Sequence, residues 1–205
     1  VRVDIEALLR EPNRAILTLA IATSLNVCNE ASVEGLLAKV GKFMPDLPDA
    51  FRLRVVQTVE QLGERFPGKQ VAFLTFLSHL LSVKSSALHR AAVAAIHRLS
   101  ATAPKIREHA ITILSDYIED CEYPELVVTV FEFIGAEGPR SQKPLRVLRS
   151  VYNRFLLESP PVRAAAVTTI ARFADVPELK DAVMRILDRC AHDPDDEVRD
   201  RAVFY

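Results

Sequence analysis

Three groups of residues have the types that do chemistry, and their spacing decides what each is worth. His89 and His97 lie eight residues apart, two helical turns, so both imidazoles can share one helix face as the start of a metal site. A zinc set needs more ligands close by, and His79, His109 and His192 are too scattered to supply them. The acidic runs Asp116, Glu119, Asp120, Glu122 and Asp193, Asp195, Asp196, Glu197 offer oxygens for calcium. A calcium loop also requires a central glycine and a distal glutamate, and the second run flows straight into a helix pattern. Helix capping and solvation account for both runs. The segment Gly35 to Lys42 has a glycine pair and a lysine like a phosphate loop, but five residues separate the glycines and Phe43 follows the lysine. It also falls on a predicted helix. No nucleophile elbow, zincin pair or dinucleotide fingerprint occurs. The sequence therefore assigns no catalytic, cofactor-binding or metal-ligating residue, implies no cofactor, and reads as that of a protein that is not an enzyme.

Charge narrows the partners. Lys and Arg total 26 against 27 Asp and Glu, a net charge of −1, so there is no global field for a phosphate backbone. One basic group, Arg52, Arg54, Arg65, Lys69, Lys84 and Arg90, is a candidate surface for an acidic partner, a phosphoinositide headgroup or nucleic acid. Glu60 and Glu64 dilute it, and a solvated face is the plainer reading. Cys28, Cys121 and Cys190 are odd in number and far apart, as reduced, partly buried thiols of a cytosolic chain would be. No apolar run reaches the roughly 18 residues of a membrane span. Six glycines in 205 residues are few for a sheet protein of this size.

The elements that must carry these residues read as helices throughout, with apolar positions at helical spacing and no sustained two-residue alternation. The pattern predicts helices over about 4–10, 12–26, 31–44, 49–64, 68–82, 86–100, 104–119, 122–135, 143–157, 159–174, 177–192 and 195–205. Pro12, Pro104, Pro124, Pro144 and Pro177 fall near helix starts, where a missing N–H costs nothing.

An apolar template at offsets 0, +4, +5, +8 and +11 recurs along the chain. It fits Ile16, Ala20, Ile21, Ser24, Val27, with Ser24 the polar exception; then Phe51, Val55, Val56, Val59, Leu62; then Leu88, Ala92, Val93, Ile96, Leu99. It fits again at Tyr123, Val127, Val128, Phe131, Ile134 and at Val162, Ala166, Val167, Ile170, Phe173, and restarts at Val198, Ala202, Val203. First positions advance by 35, 37, 35, 39 and 36 residues. Two helices per period mean stacked hairpins, each too thin to bury its own apolar face. The fold class is all-α: a right-handed α-solenoid of about six helical hairpins, the terminal ones truncated, with residues 1–205 as a single segment. A start without Met and an end at Phe204-Tyr205 inside an amphipathic pattern suggest an internal fragment of a longer protein.

Asp193-Pro194-Asp195-Asp196-Glu197-Val198-Arg199 and Ser159-Pro160-Pro161-Val162-Arg163-Ala164 resemble the turn and second helix of HEAT repeats. Pro12-Asn13-Arg14, Tyr117 to Glu122, Gly135-Ala136-Glu137-Gly138-Pro139, Tyr152-Asn153-Arg154 running to Glu158, and Cys190 to Asp193 carry a further resemblance, and Glu119-Asp120-Cys121-Glu122, Gly135 to Pro139 and Tyr152-Asn153-Arg154 are the more specific, because repeat geometry does not require them. Through these segments the chain resembles the trunk of the coatomer gamma subunits, a family within the adaptin-type large subunits. The resemblance implies a structural scaffold of the COPI vesicle coat serving Golgi-to-ER and intra-Golgi transport. It implies the other coatomer subunits, zeta, beta and delta, as partners, and an Arf-family GTPase bound by the parent chain outside this segment. It also implies a cytoplasmic location, peripheral on Golgi membranes and COPI vesicles, with no nucleic acid bound. A large subunit of a clathrin adaptor is the alternative, followed by another HEAT scaffold or a nucleic-acid-binding solenoid.

Overall fold

A computed structural model describes residues 13–205. The predicted helix over 4–10 lies outside them. The described residues form eleven α-helices and no strand, in two units that divide at Ile106 and Arg107.

The first unit holds α1 (Arg14–Val27), α2 (Val33–Phe43), α3 (Asp49–Arg65), α4 (Gln70–Leu80) and α5 (Ser86–Thr102). Helices α1, α3 and α5 pack side by side in one layer and α2 and α4 in the other. The second unit holds α6 (Arg107–Asp120), α7 (Pro124–Glu137), α8 (Pro144–Phe155), α9 (Pro160–Arg172), α10 (Lys180–Cys190) and α11 (Asp196–Phe204). There α7, α9 and α11 make one layer, and α6 packs on α8 in the other. Every second helix of a hairpin thus faces its counterpart one period on, which is how a thin hairpin buries its stripe.

The stripes explain the core. Val55, Val56, Val59 and Leu62 of α3, Leu88, Ala92, Val93, Ile96 and Leu99 of α5, and Val162, Ala166, Val167, Ile170 and Phe173 at α9 are all buried. Four copies of the template depart from this, that of α3 only at Phe51, which is half-buried. In α1, Ile16 and Val27 are 41% and 68% exposed, and the buried face is instead Leu17, Ala20, Ile21, Leu25 and Cys28. The polar Ser24 marked the slip: moving the stripe by one residue replaces it with Leu25. In α7, Tyr123 and Val128 are only half-buried, and Leu126 and Val130 complete the core. In α11, Val198 and Ala202 are buried but Val203 is 75% exposed.

Prolines set the helix starts in two ways. Pro124, Pro144 and Pro160 occupy the first turn of an α-helix directly. Pro104 and Pro177, expected at α-helix starts, instead open 3-10 turns at Pro104–Ile106 and Pro177–Leu179, and α6 and α10 begin after them. Pro45, Pro67 and Pro139 sit in similar turns. The ring fixes φ near the helical value and removes only an N–H that a first turn would leave unpaired.

Asp195 caps α11, its carboxylate accepting from the backbone N–H of Glu197 at 3.1 Å and of Val198 at 3.3 Å. Asp195→Ala is expected to cost about 1 kcal/mol, and Asp195→Asn to restore most of it, as read by urea denaturation.

Candidate functional site

The residues singled out for chemistry are taken up by the fold. His89 is buried, its Nε2 lying 2.7 Å from the carbonyl oxygen of Val83, whereas His97 is exposed on the same helix. No group of three or more potential metal ligands occurs among the described residues. Gly35 to Lys42 lies wholly within α2. All three cysteines are buried.

The second acidic run resolves into caps and ion pairs, while in the first Asp116 is paired and Glu119, Asp120 and Glu122 are exposed. Asp116 meets Arg146 at 3.2 Å, Asp196 pairs with Arg199, and Glu197 pairs with Arg201 at 2.7 Å. Asp193 accepts from Arg163 through both oxygens, at 2.7 and 3.0 Å, and from the backbone N–H of Asp195 at 2.9 Å. Burial alone would raise its pKa. The hydrogen bonds from Arg163 and the Asp195 N–H, with the charges of Arg163 and Arg199, outweigh burial and hold the carboxyl below its ordinary range. A folded-state pKa lowered from the ordinary 3.8 stabilises the fold above that value, and the contribution is lost as pH falls through the lower one. The melting temperature of the wild type is therefore expected to fall more steeply below pH 4 than that of Asp193→Asn; equal slopes would show that the pair adds nothing. Nearby, burial first and then the Asp193 charge push the Cys190 thiol up to about 11.

The basic group disperses. Arg52 donates to the carbonyl oxygens of Met44, at 2.8 Å, and of Pro45, closing the turn after α2. Arg65 donates to the Asn26 carbonyl oxygen at 3.3 Å and stacks over Phe66. Lys69 meets Glu34 at 2.8 Å. Only Arg54, Lys84 and Arg90 of the group are exposed outright along with Arg65. At about 50 mM salt the protein is expected to leave a labelled 20-mer DNA duplex or RNA unshifted in a gel assay; salt-sensitive binding would restore the nucleic-acid reading.

Polar contacts one repeat apart were not read from the sequence. Arg154 on α8 donates to the carbonyl oxygens of Glu119 at 3.0 Å and Cys121 at 2.6 Å, and pairs with Glu158. This joins two of the segments singled out above: Tyr117 to Glu122 and Tyr152 to Glu158. Glu108 on α6 accepts from the Ser141 hydroxyl at 2.9 Å and from the Gln142 N–H at 3.1 Å. The buried Thr169 hydroxyl donates to the Phe131 carbonyl oxygen at 2.9 Å, and Arg98 pairs with Glu60. The available signal was the period itself, since each partner lies 33 to 38 residues away.

Two open concavities stand out. In the first unit a groove of about 630 Å³ runs between α2 and α4, over Leu37, Ala38, Gly41, Phe76 and His79. In the second, a hollow of about 530 Å³ is lined by Gly135, Glu137, Arg140, Arg172 and Asp175. Neither brings together a nucleophile, a base and an orienting group. No helix among the described residues is long and apolar enough to cross a membrane.

Comparison with known proteins places the chain in a family. The family profile described as "Adaptin N terminal region" matches residues 2–205. "Coatomer subunit gamma" of Dictyostelium discoideum is 42% identical over 204 residues, 98% of this chain and 23% of that protein. The "Probable coatomer subunit gamma" of Schizosaccharomyces pombe is 42% identical over 205 residues, and "Coatomer subunit gamma" of Arabidopsis thaliana 41% over 205 residues, each again covered to 23%. The chain thus spans about a quarter of the length of these relatives. Among solved structures, "Designed armadillo repeat protein YIII(Dq)4CqI" aligns over 98% of this chain and 96% of its own, with a TM-score of 0.51 and 20% identity. That likeness speaks to the α-solenoid class alone.

Proposed function

This chain belongs to the adaptin N-terminal-region family, and from that premise we propose that it forms part of the trunk of a coatomer gamma-type subunit, a structural scaffold of the COPI vesicle coat. The observation that carries the proposal is identity of about 40% along nearly the whole chain to coatomer gamma subunits from an amoeba, a yeast and a plant. Consistent with it, several residues that looked chemical in the sequence serve the fold: Asp195 caps a helix, Asp193 pairs with Arg163 and His89 is buried. On the same reading it is a structural coat component and not an enzyme. The reading of residues 1–205 as one repeat segment rests on the unbroken step of 35 to 39 residues.

The proposed partners are the zeta, beta and delta subunits, with an Arf-family GTPase engaged by the parent chain outside these residues. The proposed location is the cytoplasmic side of Golgi membranes and COPI vesicles, reached through the assembled coat. Affinity purification of the full protein from cytosol, with the accompanying chains identified by mass spectrometry, tests this. Coatomer subunits in even stoichiometry are the expected result. Medium and small clathrin-adaptor chains, or a free monomer, would overturn it.

A further inference from the structure

The hollow at the ends of α7 and α9 holds two arginines that the fold places and does not use. Gly135 to Arg140, which includes a segment that repeat geometry does not require, lines one side, and Arg172, Asp175 and Val176 line the other. Arg172 lies against α7 over Gly135: a Cβ on that glycine would sit 3.1 Å from Arg172 Cδ and 3.5 Å from its Nη1. The bare glycine thus gives the arginine stem its bed. Arg140 ends the 3-10 turn Gly138–Arg140, and the chain just beyond is pinned where Ser141 and Gln142 donate to Glu108. Both arginines are exposed, and neither has a hydrogen bond or ion pair among the described residues. In the same unit Arg107, Arg146, Arg154, Arg163, Arg199 and Arg201 each meet a carboxylate. Of the two carboxylates in the lining, Glu137 is held by Arg107 at 3.0 Å, and Asp175 forms no ion pair among the described residues. Two guanidinium charges therefore stand against one uncommitted carboxylate. The C-terminal end of α9 favours a cation, which accounts for the charge of Arg172 but fills none of its N–H donors.

We propose that this hollow is a carboxylate-binding site, with Arg140 and Arg172 donating to the carboxylate and Ala136, Pro139 and Val176 taking the carbon chain that carries it. A planar guanidinium matches the two oxygens of a carboxylate. The surplus of one positive charge fits a carboxylate better than a phosphate dianion, whose second charge would face Asp175. The carboxylate comes from a small free acid or from an acidic side chain of another protein; the recognition chemistry is the same for both. Because it draws on these side chains alone, the site stands or fails apart from the coat assignment.

The test follows the arginine Nε–Hε signals of the isotope-labelled protein by NMR at constant ionic strength. Glutarate supplies the free acid, the peptide acetyl-Gly-Ser-Glu-Ser-Gly-amide the side chain, and the same peptide with Gln for Glu the neutral control. The Arg140 and Arg172 signals are expected to shift saturably in the millimolar range with glutarate, with the Glu peptide or with both, and not with the Gln peptide or chloride. Tighter binding of glutarate assigns a free acid, and tighter binding of the Glu peptide assigns a protein side chain; either supports the site. Arg172→Gln should raise the concentration that half-saturates the Arg140 signal about tenfold, and Arg140→Gln should do the same for Arg172, since both donate to one anion. Asp175→Asn should tighten binding, and Arg149→Gln, exposed on α8 and outside the hollow lining, should leave it unchanged. The substituted side chains are all exposed, so circular dichroism and melting should match the wild type. No saturable shift, equal shifts with chloride or the Gln peptide, tighter binding of inorganic phosphate than of glutarate, or an Arg140 response untouched by Arg172→Gln would each overturn the proposal.

Discussion

Arg154→Ala is expected to lower the melting temperature by about 10 °C. The guanidinium is 15% exposed and its partner Glu158 is 9% exposed, so water replaces the ion pair only in part. Two of the guanidinium's other hydrogen bonds go to the carbonyls of Glu119 and Cys121, where α6 ends. A helix leaves its last carbonyls without intrahelical partners, and here a side chain from the next hairpin satisfies two of them. Alanine would strand the Glu158 carboxylate in its half-dry surroundings and orphan both carbonyls at once. Removing one partner of a buried pair costs about 3–5 kcal/mol, and each kcal/mol moves the midpoint of a domain of this size by roughly 2–4 °C. The double variant Arg154→Met, Glu158→Leu separates the two parts. It should recover the portion due to the stranded carboxylate and leave the portion due to the carbonyls. If Arg154→Ala melts within 2 °C of wild type, the pair is a surface ornament.

Gly138→Ala should cost about 1–3 kcal/mol by a different route, overpacking. The glycine has an ordinary helical φ of −60°, so backbone freedom is not why it is there. A Cβ would sit 2.6 Å from Phe173 Cζ, 3.2 Å from Val147 Cγ1 and 3.3 Å from Ile134 Cγ2. Phe173 and Ile134 are fully buried and Val147 nearly so, which leaves the ring nowhere to move. Phe173→Leu withdraws the closest atom. In a denaturant double-mutant cycle, Gly138→Ala in the Phe173→Leu background should therefore cost markedly less than in the wild type. An additive result would mean that the backbone, rather than the ring, absorbs the new methyl.

The amino-acid sequence by itself determined the helical class, the period and most of the core, because a buried helix face must repeat every three to four residues and a stacked hairpin must repeat its face every turn of the array. It located α3, α5 and α9 and their stripes, down to Val59, Ile96 and Ile170. It missed by one residue in α1, where a single Ser24 was too weak a signal to move the stripe from Ile16 to Leu17. It placed Pro104 and Pro177 correctly as starts but not as 3-10 turns, since the ring fixes one angle and not the hydrogen-bond partner. What only the tertiary structure decided were the contacts across one period. Arg154 at the end of α6 and Asp193 on Arg163 both depend on how far apart two packed helices lie and which way a side chain leaves its backbone. Sequence spacing fixes the face of a helix on which a residue stands; the distance to the neighbouring helix follows from the bulk of every side chain between them, and that is settled only when they pack.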